Sequence, residues 1–158
     1  MEIRFMHPGE ETSVIQLVQK TFDQCVAPGF TEEGISQFYK YASTEALSQR
    51  SKEESFTIIA KEKNQIVGII EIKDQNHVSM FFVSTELQGK GVGKKLFHEA
   101  ITHIKKQNPQ VKELTVNSSP NAVEAYRKLG FIPRSEEQCA DGIRFVPMKL
   151  SLESSPTK

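Results

Sequence analysis

The chain has 158 residues, 37% of them hydrophobic, which fits one domain with a single core better than two domains. Its 20 basic and 20 acidic residues cancel, so no overall positive field attracts a polyanion and a nucleic-acid partner is not expected. No stretch approaches the roughly 18 consecutive apolar residues that span a bilayer, and the N-terminus lacks a signal-peptide core. We therefore expect a soluble cytoplasmic protein with no membrane partner.

The N-terminal quarter predicts one strand and two helices. Residues 2–6 alternate weakly, which is typical of a short strand, and Pro8-Gly9 marks the turn after it. A first helix is indicated by apolar residues at helical spacing, namely Val14, Ile15, Val18 and Phe22. Thr31 is suited to cap a second helix. The apolar positions of that helix repeat at i, i+3, i+4 and i+7, namely Ile35, Phe38, Tyr39 and Ala42.

Three strands are predicted next. Residues 56–61, 66–73 and 77–83 are β-branched or aromatic runs, and short polar segments separate them. Such short connections favour an antiparallel meander, because parallel neighbours need a crossover of roughly a dozen or more residues.

The second half of the chain alternates helices and strands. A glycine-rich segment at 88–93 precedes a long amphipathic helix that should end near residues 108–109. A strand at 111–116 follows. Ser119 can then cap another helix, and Gly130 stands where a left-handed residue is wanted at the end of that helix.

The chain is predicted to close with two more strands. One begins at Phe131, and the other covers residues 143–150, with Pro147 at an edge or a bulge because proline cannot donate to a ladder. We found no internal repeat and no linker. The prediction is a single mixed α/β domain over residues 1–150, followed by a disordered tail at 151–158.

The most informative segment is residues 80–95, where a strand runs through a glycine-rich loop into a helix. This loop holds three glycines, Gly89, Gly91 and Gly93. Glycines let the backbone approach a ligand closely, and the free N–H groups at a helix start, helped by the helix dipole, can bind a pyrophosphate. Lys90 and Lys94 add positive charge.

Two familiar phosphate loops are excluded by their spacing. A Walker loop needs Ser or Thr after Gly-Lys, whereas Gly93-Lys94 is followed by Lys95. In the dinucleotide fingerprint that starts at Gly89, the third glycine position falls on Lys94. The loop therefore indicates a different phosphate-containing ligand.

Residues 88–93 match the motif Q/R-x-x-G-x-G/A, and in this they resemble the GNAT superfamily of N-acetyltransferases. Family members place this motif after the fourth strand and follow it with a fifth strand, a helix that bears a tyrosine, and a Gly-Phe pair. Residues 111–116, Tyr126 and Gly130-Phe131 are the counterparts here. The element order agrees over nearly the whole chain. One departure is Ser119, where many relatives have Asn.

The resemblance implies a mixed, mainly antiparallel sheet of about seven strands flanked by about four helices. It also implies acetyl-coenzyme A as the acetyl donor, with the pyrophosphate on the loop amides and the pantetheine beside the end of the preceding strand. The implied coenzyme-binding residues are Phe82, Val83, Ser84, Gln88, Gly89, Lys90, Gly91, Val92, Gly93, Lys94, Ser119 and Tyr126.

In the implied reaction an amine attacks the thioester directly, and a backbone N–H near Val83 could stabilise the oxyanion. A lysine-like amine with a pKa of about 10.4 must first lose a proton, which costs about 4 to 5 kcal/mol at neutral pH. The leaving thiolate also benefits from a proton donor, and Tyr126 is our candidate; without the resemblance we would interpret it as a core aromatic.

Two residues compete as the base that deprotonates the amine. His77 lies eleven residues before Gln88, at the position where the resemblance places a catalytic glutamate in some lysine-acetylating relatives. It could equally be a turn-end histidine that only caps the hairpin. Glu71 on the preceding strand is the other candidate, although a solvated strand residue explains it more simply.

The remaining features leave alternatives open. Cys25 and Cys139 have no nearby His or Asp partner to make them acyl-carrying nucleophiles, and no clustered Cys/His spacing indicates a metal. We expect the acceptor to be the primary amine of a small molecule or a peptide, and Glu136, Glu137 and Asp141 hint that it is cationic. The alternative function is a non-catalytic acyl-coenzyme A-binding sensor or partner-binding module. Because family members frequently dimerise through edge strands, a homodimer is also open.

Overall fold

The computed structural model describes residues 1–53 and 55–153, and in these ranges the chain forms eight strands and five α-helices. The first half comprises β1 (Glu2–Phe5), α1 (Glu11–Cys25), α2 (Glu32–Tyr41), α3 (Thr44–Ser51), β2 (Ser55–Glu62), β3 (Gln65–Lys73) and β4 (His77–Val83). The second half comprises α4 (Val92–Gln107), β5 (Glu113–Ser118), α5 (Val123–Lys128), β6 (Ile132–Pro133), β7 (Gln138–Ala140) and β8 (Ile143–Ser151). Short 3-10 turns occur at Ala27–Gly29, Thr85–Leu87 and Pro120–Ala122.

Side-chain caps start two of the N-terminal helices. The hydroxyl of Thr31 accepts a hydrogen bond from the amide of Gly34 at 3.0 Å, as its position before α2 predicted. Ser43 caps α3 in the same way through the amide of Ala46 at 3.1 Å. Helix α3 was not predicted from the sequence, because it is short and polar and buries only Leu47, so no apolar stripe marks it.

The strands form one sheet in the order β1-β2-β3-β4-β5-β8-β6, with β7 attached to β8. The meander of β2, β3 and β4 is antiparallel, as predicted from its short turns. The pairing of β4 with β5 is parallel, and the other pairings are antiparallel. The fold is thus the mixed, mainly antiparallel α/β arrangement that the sequence indicated.

The pairing between β4 and β5 is very short. Only two residue pairs form, His77 with Thr115 and Val78 with Val116, although β4 continues to Val83. Beyond these pairs the two strands separate. We call the resulting gap the β4–β5 opening, and it positions everything described below.

Helices cover both faces of the sheet, which explains why the central strands are buried on both sides. On one face α4 and α5 pack over a core that includes Leu96, Ala100, Ile104, Leu114, Val116 and Phe131. On the other face α1, α2 and α3 cover a second core that includes Val14, Val18, Leu47, Ile59, Ile69 and Met80. Within the described ranges, no helix is long and apolar enough to cross a membrane.

The C-terminal part departs from expectation at two points. The amide of Leu152 donates to the carbonyl of Lys112 at 2.8 Å, and Leu152 is buried in the α4–α5 core, so ordered structure continues past the expected boundary at residue 150. Residues 154–158 lie outside the described residues. Pro147 lies in β8, which is not an edge strand. On one side it pairs with Asn117 of β5. On the other side it falls in the gap between Met148, which pairs with β6, and Phe145, which pairs with β7.

Candidate active site

The loop before α4 forms a cradle of backbone amides. Gly89 and Gly91 have φ angles of +78° and +89°, a left-handed conformation that other residues adopt only with strain. A Cβ on either would meet no heavy atom within 4 Å, so the space above the loop is open. Within the described chain, the amides from Gly91 to Lys94 have no backbone acceptor, as is typical of a helix start. These amides, with the dipole of a 16-residue helix behind them, are an arrangement that can bind an anion.

Gln88, the first residue of the glycine motif, positions this loop. Its side-chain Nε2 donates to the carbonyl of Val83 at 3.0 Å, which ties the loop back to the end of β4. The same nitrogen lies 3.9 Å from the Sγ of Cys25, at the end of α1. Asn121, on the β5 side of the opening, donates to the carbonyl of Cys25 at 2.7 Å. The end of α1 therefore touches both sides of the β4–β5 opening.

The backbone at the end of β4 alternates in direction. The amide of Ser84 donates to Val67 of β3 at 2.8 Å, so its backbone groups point to β3. In an antiparallel pair successive residues point alternately to the two sides, which places the Phe82 groups towards β3 and the Val83 groups towards the opening. Of these three expected pantetheine-binding residues, only Val83 presents backbone groups to the β4–β5 opening.

Tyr126 lies on the α4–α5 face. Its ring packs edge-on against Phe131, with centroids 5.3 Å apart, and against Phe81 of β4 at 6.2 Å. Burial raises the pKa of the Tyr126 hydroxyl well above its usual range. This hydroxyl is consequently protonated at neutral pH, which suits a proton donor and not a base.

A cleft of about 730 Å³ lies on the opposite face. Helices α2 and α3 line it with Phe38, Lys40, Tyr41 and Arg50. The sheet contributes Lys73, His77, Ser79 and Asn117, and the β7–β8 hairpin contributes Asp141 and Ile143. Phe38 and Tyr41 line the cleft, whereas Phe22 is fully buried in the core.

His77 is half-buried at one end of this cleft. Its Nδ1 shares a hydrogen bond of 2.8 Å with the hydroxyl of Thr115, the residue paired with it on β5. Burial lowers the pKa of His77, and the positive charge of Lys73 lowers it further. The imidazole is therefore neutral at neutral pH and has a lone pair to accept a proton.

Glu71, the other candidate base, is not solvated. Its side chain is fully buried, and Arg50 binds both carboxylate oxygens, with Nε and Nη2 at 2.8 and 3.0 Å. Ser79 donates to the same carboxylate at 2.7 Å. The expectation of a solvated strand residue is wrong, because an α3 residue that the sequence analysis did not consider neutralises this charge. With both oxygens bound, Glu71 has little capacity left to take a proton from an acceptor.

Ser79 is the extra residue of a β-bulge. Glu71 pairs with Met80 and Ile72 with Val78, so Ser79 has no partner on β3. The hydrogen bond from the Ser79 hydroxyl to the Glu71 carboxylate holds the bulge against β3. The buried ion pair of Arg50 and Glu71 therefore supports the part of β4 that borders the opening.

Tyr41 stacks against two cations. The Cζ of Arg50 lies 3.6 Å from the ring centroid and the Nζ of Lys73 lies 5.5 Å from it. The Tyr41 hydroxyl is buried and has no hydrogen-bond partner among the described residues. Burial and the charge of Glu71 raise the pKa of this hydroxyl.

The structure corrects two expectations, one about the acidic residues 136, 137 and 141 and one about Ser119. Of the three acidic residues that hinted at a cationic acceptor, only Asp141 lines the cleft. Glu137 instead forms an ion pair with Arg144 at 2.6 Å. Ser119 does not cap α5 with its side chain; its hydroxyl donates instead to the Oδ1 of Asn121 at 2.8 Å. A 3-10 turn stands between Ser119 and α5 because Pro120 follows.

Comparison with known proteins identifies the class that this fold and site define. The family model described as an acetyltransferase (GNAT) domain matches residues 26–152. The chain belongs to this family, whose members transfer an acetyl group from acetyl-coenzyme A, and the resemblance inferred from the glycine motif is confirmed.

Individual relatives agree with this assignment. The sequence is 33% identical over 66 residues to an uncharacterized N-acetyltransferase of Methanocaldococcus jannaschii, a match to 41% of this chain and 29% of that protein. The match therefore spans less than a third of the relative's length.

Solved structures share the fold over nearly the whole chain. A GCN5-related N-acetyltransferase from Rhodopseudomonas palustris is similar with a TM-score of 0.81 and 21% identity, covering 96% of this chain and 95% of its own. The PaiA N-acetyltransferase from Thermoplasma acidophilum, in complex with coenzyme A, has a TM-score of 0.76 and 22% identity, covering 95% and 98% of the two chains.

Proposed function

We propose that this protein transfers an acetyl group from acetyl-coenzyme A to the primary amine of a small molecule or a peptide, by direct attack of the amine on the thioester. The observation that carries the proposal is the arrangement around the β4–β5 opening. The amide cradle lies at one end, His77 lies in the cleft on one face, and Tyr126 lies on the other face.

The residues present fit acetyl-coenzyme A. Gly89 and Gly91 have no side chains and leave room for a pyrophosphate on the amides from Gly91 to Lys94. The Val83 backbone, whose carbonyl already accepts from Gln88, borders the opening in which a pantetheine arm can lie. When bound, the coenzyme supplies the acetyl group as a thioester. The Val83 amide is then our candidate to stabilise negative charge on the thioester oxygen.

His77 is the proposed base. The hydroxyl of Thr115 can donate to the carbonyl of Asn76, 3.5 Å away, which leaves its oxygen to accept from the Nδ1 of His77. In that tautomer the Nε2 lone pair is free to take a proton. Because His77 and Val83 lie at opposite ends of β4, roughly 20 Å apart along the strand, we propose that the proton of the acceptor amine reaches His77 through a chain of waters. The neutral amine then forms the N–C bond.

Tyr126 is the proposed acid. As the C–S bond breaks, the electron pair goes to sulfur, and the Tyr126 hydroxyl gives this sulfur its proton. The Tyr126 hydroxyl carries its proton at neutral pH, so it can donate to the sulfur as negative charge develops there. The phenolate regains a proton from solvent after the thiol leaves.

The test is an acceptor panel with acetyl-coenzyme A, in which release of free thiol is followed and the acetylated amine is identified by mass. We expect amine-dependent thiol release. If the coenzyme binds but no amine in a broad panel accelerates thiol release, the protein is instead the non-catalytic acyl-coenzyme A-binding module.

A further inference from the structure

The cleft beside His77 contains a cation, Lys73, that no carboxylate of the described residues neutralises. Lys73 is the residue paired with His77 across β3 and β4, so their side chains stand on the same face of the sheet. Lys73 is half-buried, and within the described ranges no carboxylate oxygen lies within 4 Å of its Nζ. A half-buried ammonium in a ligand cleft, without a counter-ion, favours an anionic ligand.

The positive charge of Lys73 lies beside the ring of Tyr41. The Lys73 ammonium stands 5.5 Å from the centroid of the Tyr41 ring, and Arg50 covers the same ring at 3.6 Å. The guanidinium of Arg50 is already bound by the buried carboxylate of Glu71, whereas the ammonium of Lys73 has no such partner among the residues that the structure describes. Of the two cations beside the Tyr41 ring, Lys73 is therefore the one that can meet a ligand.

The other charges of the cleft do not cancel this one. Lys40 adds a second positive charge from α2, and Asp141 supplies one carboxylate from the β7–β8 hairpin. Asp74 lies next to Lys73 in the chain and also acts on His77, but its effect there is smaller than that of Lys73. The lining of the cleft therefore carries more positive than negative charge.

We propose that the acceptor is a small amine that also carries a carboxylate, and that Lys73 binds this carboxylate while His77 receives the proton of the amine. The inference rests on the proposed function and specifies its acceptor class. A volume of about 730 Å³ is suited to a small molecule. A diamine or polyamine would instead bring further positive charge next to Lys73 and Lys40.

The experiment compares acceptors that differ only in the carboxylate. A panel of amino acids with the amine at increasing distance from the carboxylate, such as glycine, β-alanine, 4-aminobutyrate and lysine, is assayed beside the corresponding amides and beside cadaverine, which is lysine without its carboxylate. We expect kcat/KM to be higher for one or more of the carboxylates than for the matching amide, by roughly tenfold to a hundredfold, the range expected for a hydrogen bond to a charged group.

Variants of Lys73 then assign the preference to this residue. Lys73→Gln should abolish the ratio of carboxylate to amide through a rise in acceptor KM, and Lys73→Glu should reverse it towards cationic amines. The KM for acetyl-coenzyme A should not change in either variant. Lys105→Gln is the matched control, because Lys105 lies in the last turn of α4 on the opposite face of the sheet.

Two results would overturn the inference, and they differ in what else they affect. If wild-type protein acetylates amides or cadaverine as well as the carboxylates, or if Lys73→Gln keeps the preference, the acceptor class is wrong but acetyl transfer stands. If no amine of any class is acetylated although the coenzyme binds, the proposed function fails and the inference fails with it.

Discussion

Gly34 and Gly142 touch backbone to backbone, and this contact joins α2 to the β7–β8 hairpin. A Cβ on Gly34 would overlap the carbonyl oxygen of Gly142 and lie 3.0 Å from its carbonyl carbon. The hydroxyl of Thr31, which caps α2, also donates to that carbonyl oxygen at 3.0 Å. The hairpin carries Asp141 and Ile143 into the cleft, so this close approach shapes the wall of the proposed acceptor site.

The first prediction is that Gly34→Ala destabilises the protein, although Gly to Ala within a helix ordinarily stabilises it by up to about 1 kcal/mol. Here the added methyl group must displace the hairpin, and overpacking typically costs about 1 to 3 kcal/mol. Acceptor KM should rise while coenzyme affinity stays the same. Gly29→Ala is the control, since a Cβ there meets nothing within 4 Å. A Gly34→Ala protein with parental melting temperature and acceptor KM would contradict the prediction.

The second prediction concerns the amide cradle. Gly91→Glu should abolish the rise in melting temperature that acetyl-coenzyme A causes, because the carboxylate blocks the cradle and repels the pyrophosphate. At a coenzyme concentration 100 times the dissociation constant, the parent should gain about 2.7 kcal/mol. Gly9→Glu is matched in charge and in backbone strain, since Gly9 also has a positive φ, +99°, and open space around it. A folded Gly91→Glu protein that keeps the coenzyme shift would remove the loop from the binding site.

The sequence predicts the conformation of the glycine loop well and the lining of the cleft poorly, for physical reasons. The glycine loop can be predicted from neighbouring residues, because its left-handed backbone requires glycine at positions 89 and 91 and because the motif directly precedes the helix start. Arg50 lies 21 residues before Glu71 on a helix without an apolar stripe, so no local pattern connects the two. The bulge at Ser79 is likewise a matter of strand register, which the alternation of residues 77–83 did not reveal.

The third prediction assigns Glu71 a structural role. Glu71→Gln leaves the partly buried Arg50 guanidinium without its counter-charge, and breaking a buried ion pair in this way typically costs about 3 to 5 kcal/mol. For a chain of this length the melting temperature should fall by roughly 10 °C. Replacing both partners, as in Arg50→Met with Glu71→Leu, should recover much of that loss. If Glu71→Gln instead retains stability and loses turnover, Glu71 is the base.

The fourth prediction is that Tyr126→Phe keeps stability and coenzyme affinity but lowers kcat. The ring that packs against Phe81 and Phe131 is retained, and only the proton donor is lost. Loss of a general acid typically costs roughly 100-fold or more. Pre-steady-state kinetics should show that chemistry limits the rate in both proteins. Turnover within a factor of two of the parent, under that condition, would make Tyr126 a core aromatic only.

The last prediction concerns the protonation of His77. Protonation removes the base, so kcat/KM should fall on the acidic side. Because burial and Lys73 lower the pKa of His77, the midpoint of that fall should lie below the ordinary histidine value of about 6.5.

The lowered pKa of His77 also has a consequence for stability. The unfolded chain binds this proton more readily than the folded one, so the stabilisation is complete above about pH 6.5 and is lost as the pH falls through the folded pKa.

His77→Gln keeps a polar side chain beside Thr115 but cannot accept the proton at neutral pH. It should therefore lower kcat, flatten the acidic limb and leave coenzyme affinity unchanged. Parental turnover with an unchanged acidic limb would show that His77 is structural and that another residue or water takes the proton.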